Sequence, residues 1–444
     1  MNHLNHVRAF FYLMLAFVFL LVACNGNEEA EGLELAKETE TSNDDVVKIK
    51  ILYPWGEGAF LERYEAIDEK LEGIELEFID GHAQLEPLQE LNANNVIPDI
   101  ILAEHGTTPL VELDMIQPLD ELIEKHQFDL TKVFPSAIEF IRAQDLEGRL
   151  LGLPVSGETH ALYYNKEVFD LFGVPYPSND LTWNEIVDLA RKMTAEREGQ
   201  QYRGLEMGKA SSMGADSLIP LEQLAVNLTD PETGEVLLTE ESAVQKYLEL
   251  MKDIYDIPGL YNPDPESRND YEFPLGTVAM LVTWIDYGRW GIPADAELMS
   301  NIGIAHVPVW DDNPVGAPVD SKLHVINKYS EHQDEAFQVI TEYLSTEHQS
   351  LLGANYAEPP VVNDPDTWGK YGTNFVKFEE IDMQPVFAGE RATPPERVSK
   401  WDEYVGLLGK LPELAESNTD IMSLLRVLKE ESEAKIQDAK AQGQ

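Results

Sequence analysis

The side chains best placed for chemistry in this chain are aromatics and carboxylates standing just past extended, apolar stretches. Tyr53-Pro54-Trp55-Gly56-Glu57 follows the alternating, β-branched run from Val46 to Leu52. An aromatic and an acid in a Pro/Gly loop at a strand's carboxyl end suit a polyhydroxylated ring. The aromatic plane takes the ring's C–H face and the carboxylate takes its hydroxyls. The same residues also fit a plainer role, with Tyr53 or Trp55 packing beneath the loop. Glu104 and His105 follow the near-continuous apolar strand Pro98-Asp99-Ile100-Ile101-Leu102-Ala103 in the same way, either as ligand contacts or as loop residues.

Covalent chemistry has no evident apparatus. There is no Gly-x-Ser-x-Gly, since Ser156 has Pro154 two residues before it, no His-Glu-x-x-His and no glycine-rich phosphate loop. The 10 histidines are scattered without ligand spacing. A single cysteine excludes an internal disulfide and a cysteine-built zinc site. Asp230 to Glu235 offers oxygens loosely like a calcium loop and reads as an acidic turn. No metal and no cofactor are expected. With 81 acidic residues against 32 basic ones, the formal net charge is -49. Nucleic acid is an implausible partner, because phosphate binding needs basic patches. The charge reads as a solvated surface, suited to alkaline or saline surroundings.

The one cysteine, Cys24, closes Leu21-Val22-Ala23-Cys24 behind Arg8 and an apolar run from Ala9 to Ala23. That run is shorter than the roughly 18 apolar residues a membrane span needs. Residues 1–23 read as an export signal, and 24–45 as a flexible acidic tether. The cleavage pattern resembles a bacterial lipoprotein lipobox. That likeness implies a lipidated Cys24 holding the chain at the extracytoplasmic face of a cell membrane. A plain secretion signal is the alternative.

The elements that must position these residues alternate between strand and helix. Val46 to Leu52 and Ile74 to Ile79 read as strands, Ala59 to Leu71 and Leu85 to Leu91 as helices. Val168 to Phe172 and Trp183 to Thr194 follow as helices, the latter opened by a capping box of Thr182 and Glu185. Ser242 to Tyr255 is a long amphipathic helix. Ile302 to Val309 and His324 to Asn327 are strands; Gln333 to Leu344, His348 to Leu352, Trp401 to Leu411 and Ile421 to Ala439 are helices. Such alternation argues for α/β units, and the length argues for two lobes.

Pro98-Asp99-Ile100-Ile101, then Gly152-Leu153-Pro154 running into Tyr163-Tyr164-Asn165-Lys166, resembles the maltose-type (family 1) solute-binding proteins of ABC importers. Leu181-Thr182-Trp183-Asn184-Glu185, Gly276-Thr277-Val278-Ala279-Met280 and the segment Glu331 to Ser345 fit the same pattern, in the same order, over roughly residues 46–430. The resemblance implies an α/β, two-lobed periplasmic-binding-protein-like fold. Each lobe would be a mainly parallel sheet flanked by helices, with a ligand cleft between them. Lobe 1 would hold 46–155 plus 311–355, and lobe 2 would hold 156–310 plus 356–444. The chain would cross near 154–159, 306–311 and 354–360, where Pro154, Pro308 and Pro359 stand as hinge positions.

The resemblance also nominates residues. Glu158 would be a ligand-facing acid at the first crossing. Tyr163 or Tyr164 would point at the cleft while its neighbour packs inward. Trp284 would be a stacking platform, with Asp286 and Tyr287 behind it. Trp310 at the second crossing, Asp320 before the strand at His324, and Tyr356 at the third crossing complete the set. Ala103 and Gly106 stand where maltodextrin-binding members carry an aromatic and an acid, so the ligand need not be a maltodextrin. The implied function is capture of a small solute, a sugar or oligosaccharide foremost, by hinge closure. The solute would pass to the transmembrane subunits of an ABC permease, from a monomeric, non-enzymatic chain. A secreted glycoside hydrolase is the rival from another class, since paired carboxylates in a sugar cleft also define those enzymes. A receptor for a peptide, polyamine or other cationic solute is a third reading, suited to Glu57, Glu104 and Glu158 together.

Overall fold

The computed structural model describes residues 46–442, except 210–211, 262–269, 294–296, 376–377, 379–380, 382 and 418. Cys24 and the export signal expected over residues 1–23 therefore lie outside the described residues. Among the described residues no helix is long and apolar enough to cross a membrane.

Among the described residues eleven strands occur in chain order: β1 (Val47–Tyr53), β2 (Ile74–Asp80), β3 (Ile100–Ala103), β4 (Leu153–Pro154), β5 (His160–Asn165), β6 (Glu196–Arg197), β7 (Gln200–Gln201), β8 (Glu206–Met207), β9 (Met280–Trp284), β10 (Ile302–His306) and β11 (Leu323–Ile326). The first sheet has the order β2-β1-β3-β11-β4 and the second β10-β5-β9-β8. The small pair β6-β7 stands apart as an exposed hairpin.

Each sheet has its own core. Ile49, Ile51, Ile101, Leu102 and Val325 lie in the first, packed against helices Gly56–Lys70 and Gln333–Tyr343. Their β-branched, unalternating character fits a sheet covered on both faces. In the second sheet successive residues of β5 part company. Leu162 enters one core with Trp183, Tyr247 and Met251, while Ala161 and Tyr163 enter another with Phe273, Tyr287 and Phe387. This is the two-residue alternation of a strand buried on both sides.

Sheet direction and the second crossing depart from expectation. The parallel pairing holds for β2-β1-β3, but both sheets are mixed: β11 is antiparallel to β3 and β4 in the first, and β5 is antiparallel to β9 and β10 in the second. The reason is topological: β5 leaves the crossing at its start, whereas β9 and β10 run back toward it. The second crossing also comes later than residues 306–311. Pro308 and Val315 still accept hydrogen bonds from Gln223 in the second lobe, Ala317 lies in the second core, and Val319 is the first residue of this stretch in the first.

The crossings are bound to one another. Val155 N–H donates to Lys322 O (2.9 Å), Asp320 N–H to Glu158 O (2.9 Å) and Gly157 N–H to Pro359 O (2.8 Å). Any Cβ at Gly157 would stand 2.2 Å from Pro360 O, so this close approach requires glycine. The capping box at Thr182 forms as expected. The helix expected over Trp401 to Leu411 is instead two short 3-10 turns, Lys400–Tyr404 and Leu408–Lys410, before a helix at Leu411–Glu416.

Candidate ligand-binding cleft

The two sheets turn particular edges toward the crossings. In the first sheet that edge holds Tyr53, Ala103, Leu323 and Pro154, at strand ends paired in register. In the second it holds His160, which opens β5, opposite Trp284, which closes β9. Tyr53, Ala103, Pro154 and Trp284 close their strands, so side chains just past them stand beyond carboxyl ends, where open α/β sheets place ligands. A cavity of about 480 Å³ lies here, lined by residues including His105, Thr108, Phe140, Glu158, Asp320 and Lys322.

Its floor is charged. Lys322 Nζ donates to both oxygens of Glu158 at 2.6 Å and stands 5.7 Å from the centre of the Trp55 ring. Burial pushes the Glu158 carboxyl up to about 7, against the pull of Lys322 and with help from Glu358 and Asp286. Burial would likewise raise Glu358, but Arg63 (2.7 Å), Arg289 (3.0 Å) and Lys322 overcome it and hold that carboxyl below its ordinary value. Burial raises Asp286, which accepts a hydrogen bond from Trp290 Nε1 at 3.0 Å.

The second lobe adds an aromatic and an imidazole. The ring centres of Trp284 and His160 are 4.2 Å apart. His160 Nε2 lies 2.9 Å from Asp216 Oδ1, whose other oxygen accepts from Thr283 Oγ1 at 3.3 Å. Glu222 is open to solvent, yet protein atoms crowd its carboxyl. That crowding, with Asp320 and Asp216 nearby, pushes it up to about 7 despite His160. Among the described residues, no group of three or more His, Cys, Asp or Glu is placed to hold a metal ion.

Of the residues nominated from the sequence, Glu158, Asp320 and His105 line this cavity. Trp55 is 43% exposed beside it, edge-on to Tyr53 at 5.2 Å. Glu57 is exposed in the next turn, and Trp284 and Asp286, at the end of β9 and just past it, are half-buried.

The others go elsewhere. Tyr53 is buried, its hydroxyl donating to Ala59 O at 3.4 Å. Glu104 borders the cavity, but its carboxylate is bound by His82 Nδ1 (2.9 Å) and Ala83 N–H (3.2 Å). Tyr163 is fully buried and donates to Ile285 O at 2.5 Å, while Tyr164 packs on the opposite face. Neither tyrosine reaches the cleft, because both faces of this sheet are core and the cleft lies at the strands' ends. Trp310 is buried in the second core, donating to Pro220 O at 2.7 Å beneath Lys246. Tyr356 packs against the first core.

The sequence reading passed over Lys322, Glu358, Arg63, Arg289, His160 and Asp216. Glu358 had a signal: like Glu158 it is an acid beside a proline-marked crossing. Residues 57–350 match the profile of the bacterial extracellular solute-binding proteins, well over half of the chain. The chain belongs to that family. Members are binding proteins that work outside the cytoplasm, and the two-lobed architecture is theirs.

Three likenesses place this solute-binding protein further. The sn-glycerol-3-phosphate-binding periplasmic protein of Shigella dysenteriae is 29% identical over 124 residues, covering 28% of this chain and 26% of that protein. The match thus spans about a quarter of that relative's length. The sugar-binding protein MalE of Xanthomonas citri superposes with a TM-score of 0.70 at 19% identity, over 89% of this chain and 100% of that one. A sugar transporter of Rhizobium etli, solved in an open conformation, gives 0.66 at 20% identity over 88% and 100%.

Proposed function

We propose that this chain is the capture subunit of an ABC importer, tethered outside the cell membrane through Cys24. It takes a sugar or oligosaccharide into the cleft and presents it to a membrane permease. The supporting observation is the Glu158–Lys322 pair in the cavity, with the exposed Trp55 ring 5.7 Å from Lys322 Nζ and Trp284 closing β9 opposite His160. An accessible aromatic face and charged acceptors near it are what a stacked, polyhydroxylated ring needs. Contacts to both lobes would favour the closed state. Two of the acids are already engaged: Glu158 is bound twice by Lys322 and Glu358 by two guanidiniums.

One observation favours a second reading. Glu158, Asp286 and Glu222 all have carboxyls pushed upward. A polyamine or other cationic solute would relieve that crowding. The test is a thermal-shift panel of mono- and oligosaccharides, amino acids, peptides and polyamines, run with a reducing-end assay. Stabilisation by a saccharide without new reducing ends supports saccharide capture. Stabilisation by polyamines alone supports the second reading, and appearance of reducing ends overturns both.

A further inference from the structure

Beside the charged floor lies a second recess, larger and different in character. It measures about 650 Å³, and Phe140, Leu221, Val226, Val319, Val405 and Leu408 line it. It meets the charged cavity along Phe140, Asp320 and Val398, which line both. Both lobes build it: Phe140 comes from helix Pro135–Ala143 and Val319 from the first core, whereas Leu221 and Val405 belong to the second. A strap running from Thr393 to Val398 bounds it. Val398 N–H donates to Ala143 O at 2.8 Å, and Arg391 stands 4.9 Å from the Phe134 ring at the strap's base. On the strap's other side is a charged groove with Glu139, Arg142, Glu147 and Arg397. The apolar recess therefore faces the cleft and the polar groove faces away.

Resting on the saccharide reading above, we propose that the recess is a subsite for an apolar end group of the captured solute. The ligand is then amphiphilic: a sugar head over the charged floor, and an alkyl or aryl group carried past Phe140 into the recess. Continuity with the cleft assigns the recess to the solute rather than to a separate protein partner. Asp402, one of the acids on its wall, is spent on Thr229 Oγ1 (2.6 Å) and Leu228 N–H (3.0 Å), so an apolar guest displaces little bound polarity there. A guest touching Phe140 and Val226 at once bridges the two lobes and stabilises closure.

Calorimetric titration of the purified chain with glucose, maltose, n-octyl β-D-glucoside and n-octyl β-D-maltoside, below micelle concentrations, tests this. At least one octyl glycoside should bind tenfold or more tightly than its parent sugar, counted from the detection limit where the parent is silent. Val226→Trp and Leu408→Trp, at residues that line the recess and not the charged cavity, fill the recess and should erase that gain without changing the parent's affinity. A melting temperature within a few degrees of the original verifies that each variant is folded. Equal binding of octyl and parent sugars overturns the recess and leaves saccharide capture standing. A gain that survives both folded variants also overturns it. If none of the four compounds binds, the recess inference falls, and the broader panel above decides the saccharide reading separately.

Discussion

Lys322 and Glu158 come from different crossings between the lobes, and the lysine binds both carboxylate oxygens at 2.6 Å. The pair joins two hinge segments whose backbones are already bonded between Asp320 and Glu158. It therefore sits where lobe motion and ligand contact meet. Lys322→Met leaves Glu158 crowded and without its counter-charge. We expect a stability loss of about 1–2 kcal/mol at pH 7 and at least tenfold weaker solute binding. Urea unfolding and calorimetry measure the two. An unchanged affinity would remove Lys322 from the binding floor.

Trp55 and Trp310 should behave in opposite ways. Trp55 is 43% exposed and Trp310 only 5%. Trp55→Ala is expected to change stability by no more than about 0.5 kcal/mol while weakening binding about tenfold, the loss of one stacked face. Trp310→Ala should cost about 3–5 kcal/mol through the cavity it leaves, with affinity of the folded fraction unchanged. Melting curves and titrations on the two variants separate these outcomes.

Arg63 and Arg289 hold one buried carboxylate, Glu358, from two different lobes. Removing one guanidinium leaves that charge half-compensated. Arg63→Ala should cost about 3–5 kcal/mol. Glu358→Gln placed in the Arg63→Ala background should recover part of it, because the amide carries no charge. A double-mutant cycle in urea reads the coupling. Strict additivity would mean the ion pair is not the cause.

Stability should fall as pH rises from 6.5 to 8. Burial pushes Glu206 up to about 8, and Glu158 and Glu222 up to about 7, from an ordinary 4.5. The folded chain therefore holds more protons than the unfolded one between 4.5 and those values, and stability is lost as pH rises through that window. Buried His324 and His348, lowered to about 3 and about 4 from 6.5, act the other way below pH 6.5. Above 6.5 only the acids remain; buried Glu206 and mostly buried Glu158 each contribute up to about 1.4 kcal/mol per pH unit while they titrate, and solvent-open Glu222 contributes less. Unfolding midpoints at pH 6.5 and 8 check this, and Glu206→Gln should shrink the difference.

The sequence by itself determined the α/β class, most of the long elements and the family. These rest on patterns between near neighbours: the alternation in Val47–Tyr53, the capping box at Thr182, and the order of short motifs from Pro98 to Ser345. It did not assign helices Asp120–His126 and Pro135–Ala143, although the second supplies Phe140 to both cavities. The tertiary structure alone decided which nominated side chains meet. A period of two says that Tyr163 and Tyr164 point apart, but not that both faces of their sheet are covered. Nor does any local pattern reveal that Arg63, Arg289 and Glu358, or Lys322 and Glu158, converge. Those meetings depend on how distant segments cross between two cores, and the free energy that fixes the crossings is spread over the whole packed chain.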